Sequence, residues 1–321
     1  MAKRAALRLA LLALLASGCA AGRTPSEPIR PPLRRVGAER TLLPYDDPRA
    51  PAKRVLLEQI NRDREREGVA PVAYEQRAAL VGDQFCLDAA LAATTGHWDQ
   101  AGRAPYIRWG LAGGIDYHAQ NVAAISFGSG AVLKPLEELL LASQAEMMAE
   151  EPPRDGHRRT ILDPHSTHVG IGVAVVAGEF RMSQEFTRVA LEWLELPDGP
   201  LPVGGTAHVA GRPLPGLHLG LVEVLHEPPP RPLTLLEVRA RLGSYAYPPV
   251  VRSLRRAPDP AFAYADGSRG DVKVDGSRRF SFAFRLDRGP GHYLVICYVT
   301  PRLTGGEPLW PATAAVVTAL S

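Results

Sequence analysis

The sequence predicts an α+β protein: mixed helices and strands up to about residue 196, then an all-β sandwich over residues 200–321. Two observations predict this. Before residue 196, apolar residues recur at three- and four-residue spacing in three segments and at period two in the segments between and after them. Beyond it, helical periodicity fades and Pro and Gly turns recur roughly every 8 to 12 residues, the rhythm of short antiparallel strands.

The chain opens with Lys3, Arg4 and Arg8, then an apolar run ending near Leu15. That run is too short to span a bilayer as a helix and suits a secretory signal. Ala16-Ser17-Gly18 sets small residues directly before Cys19, which resembles the cleavage box of bacterial lipoproteins. Residues 1–18 then read as a lipoprotein signal peptide and Cys19 as the lipidated first residue. Each buried acyl CH₂ contributes about 0.8 kcal/mol, so several chains anchor a protein without a transmembrane helix. Removing residues 1–18 removes three positive charges and no negative ones, so the formal net charge falls from +3 to 0 (3 − 3). The basicity belongs to the signal, and nothing argues for a nucleic-acid partner. Residues 19–48, rich in Pro, Arg and Ser, read as a tether.

Residues 49–196 read as one domain. Val55, Leu56 and Ile60 mark a helix over Ala52–Glu67 that stops at Gly68. Ala78, Val81, Phe85, Ala89 and Ala92 mark a second over Glu75–Thr94. Gly96 ends it and leaves His97 in a turning loop. Tyr117–Ile125 is a strand that carries Gln120. Lys134–Glu150 is a helix with Pro135 in its first turn; Pro152-Pro153 forbids its continuation. His157 follows, just ahead of alternating Val169, Ile171, Val173 and Val175. Gly170, Gly172 and Ala174 occupy the other face of that strand, where small residues admit a close layer. Glu179–Thr187 alternates Phe180, Met182, Gln184 and Phe186.

In residues 200–321 the expected strands are His218–Leu225, Arg279–Leu286 and Tyr293–Thr300. Phe280, Phe282 and Phe284 should face a core, and Asp275-Gly276 is a hairpin signal. The sandwich is compatible with an immunoglobulin-like arrangement. Leu233–Leu242 reads equally as helix or irregular chain. Cys86 and Cys297 lie in apolar segments of different halves and read as buried free thiols, with a disulfide, which export would permit, as the alternative.

Four motifs stand in order: Gly96-His97-Trp98-Asp99, Gln120-Asn121-Val122-Ala123, His157-Arg158 with Ile161-Leu162, and Val169-Gly170-Ile171-Gly172-Val173. This series resembles the CAP superfamily of cysteine-rich secretory, antigen 5 and pathogenesis-related 1 proteins, most of all its bacterial SCP-like branch. The resemblance covers residues 52–196, less than half the chain. It implies an α-β-α sandwich with a cleft lined by two histidines and two glutamates. The histidines carry over to His97 and His157, which would be the metal ligands. The first glutamate falls on Gln120, a departure, because a neutral amide is no general base and a poorer zinc ligand than a carboxylate. For the second, Glu150 is the best match, with Glu146 and Glu151 as alternatives.

The resemblance implies an exported protein of the bacterial envelope, held at the outer membrane or cell surface through Cys19. Its CAP domain would bind a lipid or another small hydrophobic molecule, or serve as an interaction module, with no cofactor beyond a weakly bound divalent metal such as zinc. The alternative is a metal-dependent hydrolase of peptide or cell-wall material, with His97 and His157 as ligands. A third reading makes both domains structural. No G-x-S-x-G elbow, H-E-x-x-H motif or complete P-loop is present. His165 and His168 straddle a turn and read as surface residues, and Trp98 and Trp109 as packing residues.

Overall fold

A computed structural model describes residues 47–128, 134–257, 263–265, 267–303 and 308–321. The signal sequence, Cys19 and the tether as far as residue 46 lie outside the described residues.

The first half comprises α1 (Ala50–Arg66), β1 (Ala73–Tyr74), α2 (Gln76–Leu91), α3 (Pro105–Leu111), β2 (Tyr117–Ser126), α4 (Leu136–Met148), α5 (Gly156–Ile161), β3 (His168–Val176) and β4 (Glu179–Arg188). Its sheet has the order β1-β3-β4-β2, with β1 parallel to β3 and the other pairs antiparallel. Strand β2 is therefore an edge. Ile171, Val173, Met182 and Phe186 pack one face of the sheet against Leu56 of α1 and Leu140 of α4. The opposite face receives α2. A Cβ on Gly170 would stand 2.2 Å from the Ala79 nitrogen, and one on Gly172 2.2 Å from the Gly82 carbonyl carbon, so helix and strand touch backbone to backbone. Helices on both faces of a mixed sheet make this half an α-β-α sandwich within an α+β chain.

Two buried cations tie the layers. Lys53 Nζ reaches Asp83 Oδ2 (2.6 Å), and Asp83 Oδ1 accepts the Val173 N–H (2.9 Å), which joins α1, α2 and β3. Arg64 of α1 donates to the carbonyls of Ala70 (2.7 Å), Ile161 (2.5 Å), Asp163 (3.1 Å) and Ser166 (3.3 Å). Those bonds satisfy carbonyls left open where α5 ends, and so hold the helix that carries His157.

The second half comprises β5 (Leu191–Glu195), β6 (Leu201–Pro202), β7 (Thr206–Pro213), β8 (His218–Glu227), α6 (Leu235–Ala240), β9 (Val250–Arg255), β10 (Lys273–Val274), β11 (Phe280–Arg285), β12 (Gly291–Thr300), β13 (Trp310–Pro311) and β14 (Ala315–Leu320). One sheet runs β10-β11-β7-β5; the other runs β6-β14-β12-β8-β9, with β13 on β12. Val209, Phe280 and Phe284 of the first sheet share a core with Val222, Val295 and Val317 of the second. The alternating phenylalanines of β11 are buried between the sheets.

Three details depart from the sequence reading, and a fourth settles an alternative it left open. Leu191–Glu195, assigned to the first domain by a boundary at 196, pairs with β7; Trp193 enters the second core, so the chain changes sheets at residues 189–190. The His97 loop contains a helix, α3, which begins at Pro105 and buries Tyr106, Ile107 and Trp109. The 233–242 segment forms α6, with a Thr234–Glu237 capping box. At the Asp275 hairpin the left-handed residue is Arg278 (φ 64°), not Gly276; the Asp275 carboxylate accepts from the N–H of Ser277 (2.8 Å) and Arg279 (3.1 Å) and organises the turn. Cys86 and Cys297 are both free and buried.

The halves are packed together. Tyr106 and Ile107 of α3 share a core with Leu225, Leu294 and Ile296 of the large β-sheet. The connection from β8 to β9, residues 228–249, then runs across the first half. Leu233 N–H bonds the Gln100 carbonyl (2.8 Å), and Arg239 reaches the carbonyls of Ala92 and Ala93 beyond α2 (3.4 Å each).

Candidate functional site

The polar centre of the first half lies along β2, where antiparallel pairing sets Gln120 opposite Glu185 of β4. Glu185 is fully buried, at 0% exposure. Its Oε1 accepts the Gln120 amide N–H (2.8 Å) and its Oε2 meets His118 Nε2 (2.8 Å). Burial alone would raise this carboxyl. His118, Arg108 and the Gln120 bond together outweigh it and hold the group below the usual carboxylate range.

The carboxylate also orients the amide. With its NH₂ on Glu185, Gln120 turns its oxygen to His97 Nδ1, 3.0 Å away. That oxygen only accepts, so Nδ1 carries the proton and Nε2 keeps the lone pair. His97 is 7% exposed, and burial first, with the positive Arg108 nearby, pushes its pKa down against the Gln120 bond. Arg108 braces the site: it donates to the His97 carbonyl (2.8 Å), lies 3.4 Å from Gln120 Oε1 and stacks over Phe85.

His157 forms the second pair. Its Nδ1 lies 2.5 Å from Glu150 Oε1, and its backbone N–H donates to Glu150 Oε2 (2.9 Å). A carboxylate bonded to Nδ1 again leaves Nε2 as the outward nitrogen. Glu146 and Glu151 are exposed instead. Asn121 ties this pair to the sheet by donating to the His157 carbonyl (3.1 Å). The two pairs are near enough that a charge on His157 would lower the His97 pKa. The structure thus joins His97 to Gln120 and His157 to Glu150, and roles differ from those expected: Gln120 and Glu150 grip the imidazoles by Nδ1, as orienting groups. A carboxylate at position 120 would meet Nδ1 as well. Among the described residues no group of three or more His, Cys, Asp or Glu is placed to hold a metal ion, so the donor set does not fit a structural or hydrolytic zinc centre.

Arg108, His118, Glu185 and Tyr245 all escaped sequence reasoning. Glu185 had a weak signal: a charged residue at the centre of a strand whose sheet is covered by helices on both faces must find a buried partner. Tyr245 had none. It lies on the 228–249 connection, and its hydroxyl accepts the Gln120 N–H (2.9 Å) on the open edge of β2. Tyr247 donates to the His118 carbonyl on the same edge (3.2 Å). The Tyr245 ring meets the His97 ring edge-on at 4.9 Å. A segment of the second half therefore satisfies the free edge groups of β2 and roofs His97.

On the other side of β2 a groove of about 540 Å³ opens beside α5. Tyr117, Ala119 and Leu162 give it apolar walls, and Arg158, Arg159 and Arg188, paired with Glu67, Asp155 and Asp163, stand at its rim. Arg188 stacks on Tyr117 (4.0 Å) and pairs with Asp163. Of the remaining candidates, His165 is half-buried against Trp310 (ring centroids 4.3 Å), His168 bonds Thr167 Oγ1 (2.8 Å), and Trp109 donates from its indole to the Asp116 carbonyl (3.0 Å).

Fold and site together define an α-β-α sandwich with a histidine-bearing edge strand, packed against a β-sandwich. No family model matches the chain, and no curated protein matches it significantly. Among solved structures the chain is similar to an outer surface protein from Borrelia burgdorferi, at 11% identity and TM-score 0.36 over 44% of this chain and 96% of that one. It is also similar to an extracellular protein containing an SCP domain from Bacillus anthracis str. Ames, at 20% identity and TM-score 0.34 over 42% of this chain and 39% of that one.

Proposed function

We propose that this chain is an exported, envelope-anchored CAP-like module that binds a lipid or another small hydrophobic molecule, and that it is held to its membrane by acyl chains on Cys19. The observation that carries the binding reading is the groove beside α5. It has apolar walls, a volume suited to a small ligand and a rim of charge-paired arginines, and α5, the helix carrying His157, forms one side of it. The His97 side of β2 is roofed by Tyr245, which leaves the groove as the open compartment. Titration with a fluorescent fatty acid tests this. Binding should saturate in the wild type and be lost in Ala119→Trp, which fills the groove; undiminished binding in that variant rejects the assignment.

The anchor rests on the basic start, the apolar run and the small residues before Cys19. In a detergent phase split the wild type should enter the detergent phase and Cys19→Ser the aqueous phase. Wild type in the aqueous phase removes the anchor.

A hydrolytic role is the second reading, and one observation favours it: His157 gripped by Glu150 is an oriented base with its Nε2 outward. Among the described residues no third metal donor is placed with it. Calorimetric zinc titration separates the readings. Tight, stoichiometric binding abolished by His157→Ala would favour the hydrolase; weak binding supports the module.

A further inference from the structure

Among the described residues, six of the twelve exposed large hydrophobics lie on two segments, α2 and the 228–249 connection. On α2, Leu80, Leu87 and Leu91 are exposed, Leu80 at 57% and Leu91 at 60%. At 100° per residue these three and Gln84 fall within about 60° of one another, a single stripe along the helix. The 228–249 connection adds to its C-terminal end. Arg239 bonds the carbonyls of Ala92 and Ala93, just past Leu91, and the Leu242 side chain comes up to Gly96. Leu236 and Leu242, at 78% and 63%, are the most exposed large hydrophobics among the described residues. Contiguous exposed leucines cost free energy in water and mark a surface that something covers.

We infer that this face, α2 with the α6 segment, docks onto the surface of the membrane that holds the anchor, its leucines entering the headgroup–acyl boundary. This rests on the anchored reading above. Three observations select a bilayer as the occupant. First, the described chain starts beside this stripe: Arg49 and Lys53 both pair with Asp83, which stands about 40° round α2 from Leu87. The start of α1 therefore lies beside this face. Second, residues 20–46 lie between Cys19 and this point in the sequence, and at no more than about 3.6 Å per residue they reach on the order of 100 Å at most, so the anchoring membrane is within range of the face. Third, exposed Arg239 and Arg241 border the leucines. Arg239 is bonded to carbonyls and Arg241 stacks over Trp98 (4.5 Å), so both carry positive charge to the rim of the patch, where it suits anionic headgroups. A second copy would bring the same arginines against each other.

The test uses the full chain carrying Cys19→Ser, so that no acyl chain contributes. Sedimentation with vesicles of phosphatidylethanolamine and phosphatidylglycerol should show binding, weaker on phosphatidylcholine alone. Leu91→Glu with Leu236→Glu should lower the partition coefficient at least tenfold. Both positions are solvent-exposed, and an unchanged thermal melt verifies the fold. Arg239→Glu should lower it on the anionic vesicles alone. Absence of vesicle binding by the Cys19→Ser chain, or equal binding by the leucine variant, overturns the proposal. So does a dimer in light scattering that the leucine variant dissolves while no vesicle binding is seen. Failure of the anchor itself reads out separately, as unmodified wild type in the aqueous detergent phase.

Discussion

Replacing Gln120 by Glu tests the reading of the polar centre most directly. The Gln120 amide NH₂ stands 2.8 Å from Glu185 Oε1, inside the sheet and away from water. Gln120→Glu removes that donor and sets a second carboxylate against the first. Two such charges about 4 Å apart, at an effective dielectric near 20, repel by about 4 kcal/mol. Arg108, 3.4 Å from the Gln120 oxygen, offsets part of this. The expected loss is about 2–4 kcal/mol at neutral pH, within the range for a buried unpaired charge. The two carboxyls should share one proton, so that the pair has a folded-state pKa above the unfolded value of about 4.3. The folded variant then binds a proton that the unfolded chain releases, so its stability falls as pH rises through that raised pKa and is retained below about pH 4. Wild type behaves in the opposite sense: Glu185 is held low, and its contribution is present above the unfolded pKa and lost as pH falls. Urea denaturation of both forms between about pH 4.5 and 8, a range that brackets the raised pKa, measures the difference. The double change Gln120→Glu with Glu185→Gln restores a single carboxylate and should recover more than half of the loss. Equal stability of Gln120→Glu and wild type at neutral pH, or a gap that does not narrow on acidification, would refute the buried Glu185–Gln120–His97 chain.

Tyr245→Ala should unroof His97. We expect a loss of about 2 kcal/mol for a half-buried ring and its hydrogen bond, and a rise in the His97 pKa as burial is relieved, followed by NMR titration of its ring protons; an unmoved titration would place Tyr245 away from His97. Gly172→Ala should cost about 3 kcal/mol or more, because its Cβ would meet the backbone of Gly82 and not a movable side chain; thermal melts would show it, and a near-neutral change would mean that α2 lies higher on the sheet. Residues 47–189 and 190–321, expressed separately, should each melt lower than the whole chain and bind one another, since Tyr106 and Ile107 share a core with Leu225 and Leu294; no shift in either melt on mixing would show that the halves are independent.

The strands and long helices were legible because each element has one covered face and a period of its own. Val169, Ile171 and Val173 alternate, Leu56 and Ile60 repeat at helical spacing, and Phe280, Phe282 and Phe284 can only point to a common side. Glycines 170 and 172 announced a close layer before α2 was known to be that layer. His97, Gln120 and His157 could be picked out because local motifs carry them, and Glu150 only as the best of three matches ahead of His157. Their partnerships could not. Which nitrogen of each imidazole is free depends on Glu185 and Glu150, and Glu185 reaches Gln120 by strand pairing across 65 residues of sequence. Tyr245 meets the site across 125 residues, on a connection whose own sequence is irregular and without a period to read. Local periodicity reports which face of an element is covered. It does not report which distant segment covers it, because that is settled by complementary shape and by edge groups seeking hydrogen bonds once the layers have assembled.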